Sequence, residues 1–553
     1  MINKNILAGI LLTGASMGLV SCNDYLDMTP HDSVSDKGVW TDLSTAEMAV
    51  NYIYSYVYDI AANQCVAGLT DALTDQLKYG SYNYNSLCFI PSEIAYGGST
   101  LTANYVDVYL GYWGWYTAVR RANEALFQLH KYGTLSAEIS SRLEAELRFT
   151  RAFIYFDLMK RYKEVIIYDE DLTSIQVNKA LSSEAEGWDF IQEDLNYAAA
   201  NLPAKEQANG RANKGMAYAM LSRAMLYAER WQAAKEAAEE VEKLGYELEG
   251  NYTDANMLEI KDGNKEAILQ YVFSLADNVT HSFDTYYTPG GDYTIYGQPG
   301  GGYGTPTQEM VESYEYATGG FPDWTPWHAE GVTETPPFED LEPRFHATIL
   351  YNGAQWKGRT IQPYVGGDDG FCVWNKEQEP KGRTTTGYYL RKRVDESHDV
   401  IAVTDSKQPF NIIRYAEVLL NKAEACYRLN DAPGANAAVR KIRERVGLPY
   451  TDKSGDALWQ AIRQERKVEL AFEDFWYWDL RRWKEAAKPY PTGLNGYQVH
   501  ALRPDKQANG SFTYNYVSVD DRDRNFPEKM YRFPLPAGEL ENNKEVTQYP
   551  EWR

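Results

Sequence analysis

Apolar positions recur along much of this chain at the spacing of an α-helix. From Asn213 onward, Ala217, Met220, Leu221, Ala224 and Ala228 fall on one face; after a very short turn, Trp231, Ala234, Ala238, Val241 and Leu244 resume the pattern. Alanines on the facing sides let two helices approach closely, so residues 213–244 read as a helical hairpin. A second such unit runs from Ile412 to Val446. Ile413, Ala416, Leu420, Ala423 and Tyr427 line one helix and Ala438, Ile442 and Val446 the next, with Asp431, Ala432 and Pro433 marking the turn. Two further pairs lie upstream: Thr45 to Ile60 with Tyr105 to Lys131, and Ala137 to Arg161 with Ala185 to Ala200.

About four hairpins of this kind, each similar to a tetratricopeptide repeat, are enough to stack into a continuous core. Between the third and the fourth the pattern stops. From Pro289 to Gly304 the chain reads PGGDYTIYGQPGGGYG, and Gly and Pro stay frequent to about Gly387. Such a stretch does not form regular helix, and its density of Tyr and Trp argues against disorder. The expected fold is mainly α, with tetratricopeptide-like hairpins carrying a loop-rich irregular lobe over residues 280–390.

The N-terminal residues follow a different rule. Lys4 supplies one positive charge, and Ile6 to Val20 form an apolar stretch of signal-peptide length, short of the roughly 20 residues that span a bilayer. Leu19-Val20-Ser21-Cys22 resembles a bacterial lipobox, which implies cleavage before Cys22 and lipidation of its thiol. Two or more acyl chains anchor stably where one does not. Residues 1–21 then form a lipoprotein signal peptide and residues 22–40 a lipidated tether. Asn23-Asp24-Tyr25-Leu26-Asp27 resembles the acidic export signal with which Bacteroidetes-type bacteria send lipoproteins to the outer face of the outer membrane.

Composition narrows the function. Across 553 residues, 55 Lys and Arg face 78 Asp and Glu, a net charge of −23 that repels phosphate backbones and argues against nucleic acid as a partner. The 44 Tyr and 14 Trp far outnumber the 18 Phe, an excess of amphipathic rings that suits a binding surface. Cys65, Cys88, Cys372 and Cys426 form no C-x-x-C pair and no metal-ligand spacing. Cys65 and Cys88 flank one predicted loop, but spacing alone leaves their pairing open. The histidines are scattered, with no H-E-x-x-H, and the glycine-rich run has no Lys-Ser or Lys-Thr after it, so neither a zinc site nor a phosphate loop is expected. Oxygen ligands for calcium can still come from scattered loops.

Several segments in order resemble the SusD/RagB family of surface glycan-binding lipoproteins. They begin with Glu146-Leu-Arg-Phe-Thr-Arg151-Ala152-Phe-Ile-Tyr155-Phe156 and Asn264-Lys-Glu266-Ala-Ile268, followed by Pro306-Thr307-Gln-Glu309 and Pro343-Arg344-Phe345. Thr386-Gly387-Tyr388-Tyr389-Leu390-Arg391-Lys392, Arg414-Tyr415-Ala416-Glu417, Ile442-Arg443-Glu-Arg445-Val-Gly447 and Glu465-Arg466-Lys-Val-Glu469 come next, and Asp479-Leu480-Arg481-Arg482-Trp483 and Phe533-Pro534-Leu535-Pro536 close the series. The likeness covers essentially the whole mature chain, with residues 41–250 as an N-terminal helical region and 251–553 as a C-terminal region. One departure is visible: the family places Gly, a polar residue and Arg where this chain has Asp474-Phe475-Trp476, which implies local repacking. The resemblance implies a non-catalytic receptor, lipid-anchored on the outer membrane and facing the exterior. It would capture oligosaccharides and pass them to a SusC-like TonB-dependent transporter.

A sugar ring offers an apolar C–H face and a fringe of hydroxyls, so a site for it wants exposed aromatic rings beside polar side chains. Loop rings are better candidates than helical ones. Lys78-Tyr79-Gly80-Ser81-Tyr82-Asn83-Tyr84-Asn85 alternates the two kinds, and Tyr96 follows before Gly97 and Gly98. The second candidate is the glycine-rich loop with Tyr286, Tyr287, Asp292, Tyr293 and Tyr296, followed by Trp324 and Trp327; Trp356 and Trp374 are of the same kind. The ligand-binding set expected from sequence is thus Tyr79, Tyr82, Tyr84, Tyr96, Tyr293, Tyr296, Trp324 and Trp327. Trp113, Trp115, Trp188 and Trp231 belong to helices and hence to the core.

Glu465, Glu469 and Glu473, four apart, share one helix face and could suggest a glycosidase's paired carboxylates. Arg463, Arg466, Arg481 and Arg482 surround them, and ion pairing lowers a carboxyl's pKa below what a general acid needs. No catalytic residue is therefore expected. A peptide-binding receptor of RagB type, a glycosidase and a protein-binding repeat scaffold remain the alternatives to a glycan receptor.

Overall fold

The computed structural model describes residues 36–66, 70–80, 86–172, 178–205, 210–298, 300–373 and 383–553, with side chains at 36, 58–66 and 86–89 left out. Cys22, the signal peptide, Tyr82, Tyr84, Trp374 and the Cys65 and Cys88 side chains lie outside the described part.

The helical body is built from the expected pairs: Leu43–Val66 with Tyr116–Tyr132, Ala137–Tyr162 with Glu184–Asn201, Lys214–Tyr227 with Trp231–Glu242, and Tyr415–Arg428 with Ala432–Arg445. Each later start has a local cause. Ser183 and Glu186 form a capping box, Asn213 Oδ1 accepts from Met216 N–H at 3.0 Å, and Asp431 Oδ1 accepts from Gly434 N–H at 3.0 Å. Ala137–Tyr162 is buried on nearly all sides over its second half, as befits a helix enclosed by neighbours. Gly187 lets Glu184–Asn201 close onto it: a Cβ there would meet Met159 Sδ at 2.4 Å. Where one helix was expected over 105–131 there are two, Ala103–Leu110 and Tyr116–Tyr132, because the chain turns extended at Gly111 (φ −70°, ψ 152°). Trp113 and Trp188 are buried as expected, whereas Trp115 and Trp231 are half-buried.

The fourth hairpin packs against Trp231–Glu242 even though some 170 residues separate them in sequence. Strand Ala267–Tyr271 pairs antiparallel with Phe410–Arg414, so the chain leaves the helical stack and returns to it at one place. The intervening excursion is the loop-rich lobe. It is not loose: Tyr287, Tyr314, Trp324, Phe345, Trp356 and Tyr388 are among the residues of a second hydrophobic core, joined by Leu77 and Tyr79 from the N-terminal region. A ribbon of His500–Lys506 with Phe512–Ser518 packs on that core.

Candidate functional site

The loops converge where the short strand Leu77–Tyr79 pairs antiparallel with Gly304–Pro306. Gly80 N–H donates to the Tyr303 carbonyl at 3.0 Å, and Cys372 Sγ lies 3.4 Å from the Gly80 carbonyl. Only glycine fits at 80, since a Cβ would sit 2.0 Å from Thr385 Cγ2. Gly80, the turn before Gly304 and Cys372 therefore meet at one spot.

Rings collect there. Tyr286 and Tyr303, both half-buried, have centroids 5.0 Å apart and planes tilted by 34°. Tyr303 N–H donates to the Tyr286 carbonyl at 3.0 Å, which fixes their spacing. Beyond them Ile295 (56 % exposed) and Tyr296 (59 %) project from the loop tip. A ring in solvent such as Tyr296, beside polar loop residues, is what a saccharide face would stack on.

The loop is held by charge. Asp292 accepts from Thr288 Oγ1 (2.6 Å), Trp356 Nε1 (3.1 Å) and Arg359 (2.6 Å), with Lys357 Nζ at 3.0 Å. Burial pushes this carboxyl up, but Lys357, Arg359 and Thr288 outweigh it and hold it below the usual range. Asp369 takes Arg359 and the N–H groups of Gly291 and Gln362. Asp292, a polar residue of the glycine-rich loop expected to meet a ligand, thus spends its lone pairs inside the lobe.

The eight expected ligand residues separate. Tyr296 is on the surface, and Tyr82 and Tyr84 lie outside the described residues. The other five are inside. Tyr79 is 3 % exposed, and its hydroxyl meets that of Tyr287 at 2.5 Å. Tyr96, at 4 %, bonds Asp520 and Asp521 and lies under Arg522, its centroid 4.5 Å from the guanidinium. Tyr293 packs its ring against Gly300, and Trp324 and Trp327 form an edge-to-face pair at 5.7 Å within the lobe's core. For Tyr79, Trp324 and Trp327 the reason is that an irregular segment this long needs its own apolar interior, which these rings help to fill. Tyr303, absent from the expected set, was signalled only by its place in the glycine-rich run.

The glutamate row is also resolved. Glu465 pairs with Arg344 and Arg443, Glu469 with Arg344, Arg414 and Arg445, and Glu473 with Arg414 and Lys392. The partners come from distant segments rather than from the sequence-adjacent arginines. Arg466 instead holds Asp479, Arg463 holds Glu485, Arg482 holds Glu424, and Arg481 bonds only backbone carbonyls among the described residues. Burial pushes Glu473 up, yet Arg414 and Lys392 bring it down to about 2, and Glu469 is likewise lowered. Among the described residues, no group of three or more His, Cys, Asp or Glu is placed to hold a metal ion.

Comparison with known proteins agrees with this architecture. The model of the SusD family matches residues 265–552. The chain belongs to the SusD family. A second SusD-like model, described as starch-binding associating with the outer membrane, matches residues 24–226. A SusD-like protein of Bacteroides ovatus is 23 % identical over 524 residues, covering 90 % of this chain and 87 % of that one. The crystal structure of a SusD-like protein from Bacteroides fragilis has 28 % identity and a TM-score of 0.75, covering 95 % of this chain and 100 % of that one. A laminarin-binding SusD-like protein shares the fold at 21 % identity and a TM-score of 0.62, covering 92 % of this chain and 100 % of that one. No helix among the described residues is long and apolar enough to cross a membrane.

Proposed function

We propose that this SusD-family protein is a cell-surface receptor that captures oligosaccharides and delivers them to a SusC-like TonB-dependent transporter. Lipidation at Cys22 would anchor it to the outer membrane, facing the exterior. The observation that carries the glycan reading is the set of tyrosines on the glycine-rich loop, Tyr286 and Tyr303 half-buried in ring contact and Tyr296 exposed, in a chain of a carbohydrate-binding family. Tyr82 and Tyr84, two and four residues after Gly80 in the sequence, are proposed as further ligand contacts. Glu465, Glu469 and Glu473 are each held in ion pairs with arginine or lysine, which supports a structural rather than a catalytic role for that row. A tether would hold the receptor at high effective concentration beside its transporter, so a weak site suffices.

Affinity electrophoresis through gels cast with a panel of polysaccharides, a β-glucan of laminarin type among them, tests the reading. At least one glycan should retard the protein. Tyr296→Ala with Tyr303→Ala should abolish the retardation, since a stacked ring contributes about 0.5–1.5 kcal/mol, while the unfolding midpoint stays within a degree or two. Retardation by no glycan together with capture of peptides would move the assignment to an oligopeptide receptor. New reducing ends on incubation with a retained glycan would make it a glycosidase.

A further inference from the structure

A second pocket lies in the helical body, and none of its lining residues comes from the loop-rich lobe. It has a volume of about 60 Å³ and is walled by the ends of Ala137–Tyr162, Lys214–Tyr227 and Trp476–Arg482 and the start of Glu184–Asn201. Lys160, Lys163, Arg481, Arg482 and Lys484 line it, against two carboxylates, Glu184 and Glu229. In a chain of net charge −23 this concentration of cations runs against the background.

Not all of that charge is balanced. Asp157 neutralises Lys160 at 2.7 Å, and Glu424 and Asp479 neutralise Arg482. Among the described residues Lys163 pairs only with Glu184, at 3.6 Å and itself half in solvent. Arg481 is 4 % exposed, donates to the carbonyls of Met530, Lys160 and Tyr531 and lies against the Trp478 and Phe533 rings; among the described residues no carboxylate forms an ion pair with it or with Lys484, although the Glu184 charge acts on Lys484. Burial and the neighbouring Lys163 ammonium bring Lys484 down to about 8, as two like charges across one opening must. Helix C-termini each favour a nearby cation by about half a charge, screened near solvent, and Arg481, buried among them, has no carboxylate partner among the described residues. A buried uncompensated charge is costly, and an anion in the pocket would offset that cost.

We propose that this pocket binds a small oxyanion, a carboxylate, sulfate or phosphate group, held at the mouth by Lys163 and Lys484 over a floor that includes Arg481. Two sources share this chemistry: a free inorganic ion and the acidic group of a charged saccharide. The site is independent of the tyrosine surface.

Isothermal titration calorimetry at low, constant ionic strength tests it, with sodium sulfate, sodium phosphate and sodium glucuronate as probes and chloride as control. At least one oxyanion should bind saturably. Lys163→Gln with Lys484→Gln should weaken it on the order of tenfold, whereas Lys163→Arg with Lys484→Arg should retain it. Both lysines reach solvent, and unchanged unfolding midpoints would show that the folds are intact. Tighter binding of glucuronate assigns the site to an acidic saccharide; tighter binding of sulfate or phosphate assigns it to the free ion. No saturable binding of any probe, or equal affinity in the glutamine variant, would overturn the proposal. Retention by polysaccharide gels should be unaffected by the lysine variants, which separates this site from the loop surface.

Discussion

Arg414 shows how single residues hold this molecule together. Its guanidinium, 1 % exposed, meets Glu266, Glu469 and Glu473. Arg414→Ala leaves three buried carboxylates short of a cation and is expected to cost about 3–5 kcal/mol, read as a lower midpoint in urea. The pH response follows from the same groups. Glu473 titrates at about 2 in the folded chain, against about 4.3 unfolded. Its contribution is present above the unfolded value and is lost as the pH falls toward 2. Asp474, at the departure from the family pattern, has the opposite sign: burial pushes it up to about 6, above the ordinary value, despite bonds from Thr70 N–H and Oγ1. A raised carboxyl keeps its proton longer folded than unfolded, so its charge costs stability increasingly as the pH climbs to 6, and fully beyond. Asp474→Asn should therefore stabilise by about 1–2 kcal/mol at pH 7.5 and by less at pH 5; equal shifts in calorimetric midpoint at the two pH values would count against this. At this scale the sequence identified the glutamate row and its need for cations. It chose the nearest arginines, because it carries no record of which distant residues a fold brings alongside.

The helical hairpins are the most legible elements. Their apolar period, caps and short turns are local, so the pairs around Asn213 and Asp431 appear where the pattern puts them. Asp431 also receives Lys235 Nζ at 2.8 Å from the preceding hairpin, so Asp431→Ala should cost about 1 kcal/mol of cap energy, measured by denaturant unfolding. The break at Gly111 was less legible, since the apolar pattern continues across it. In the loop lobe, Gly301 has φ +71°, and a Cβ there would lie 2.3 Å from the Thr288 carbonyl oxygen. Gly301→Ala should thus disturb the turn that sets Tyr303 against Tyr286. Weaker retention in polysaccharide gels with a nearly unchanged global unfolding midpoint is the expected result; undiminished retention would separate the turn from the site. The loop's aromatic content was plain in the sequence, but not its division into core and surface. Tyr293 and Tyr296 are three residues apart, and only the turn between them decides that one packs on Gly300 while the other faces solvent.

For the whole molecule, the decisive step is the excursion between the third and fourth hairpins, closed by the pairing of Ala267–Tyr271 with Phe410–Arg414. It lets a separate aromatic core form beside an uninterrupted helical stack. Cys22→Ala should move the protein from the membrane fraction to the soluble one, and protease shaving of intact cells should degrade the native protein first; protection from shaving would place it on the inner side. The sequence by itself determined the helical body, the loop-rich insertion, the absence of a familiar catalytic motif and the kinship with the SusD family, because these rest on periodicity, composition and ordered motifs. Only the tertiary structure decided which tyrosines face solvent, which arginines neutralise the core glutamates, and that five cations from the ends of two helices share a pocket. Those outcomes depend on contacts between residues far apart in the chain, and burial and electrostatics act through distance in space, not separation in sequence.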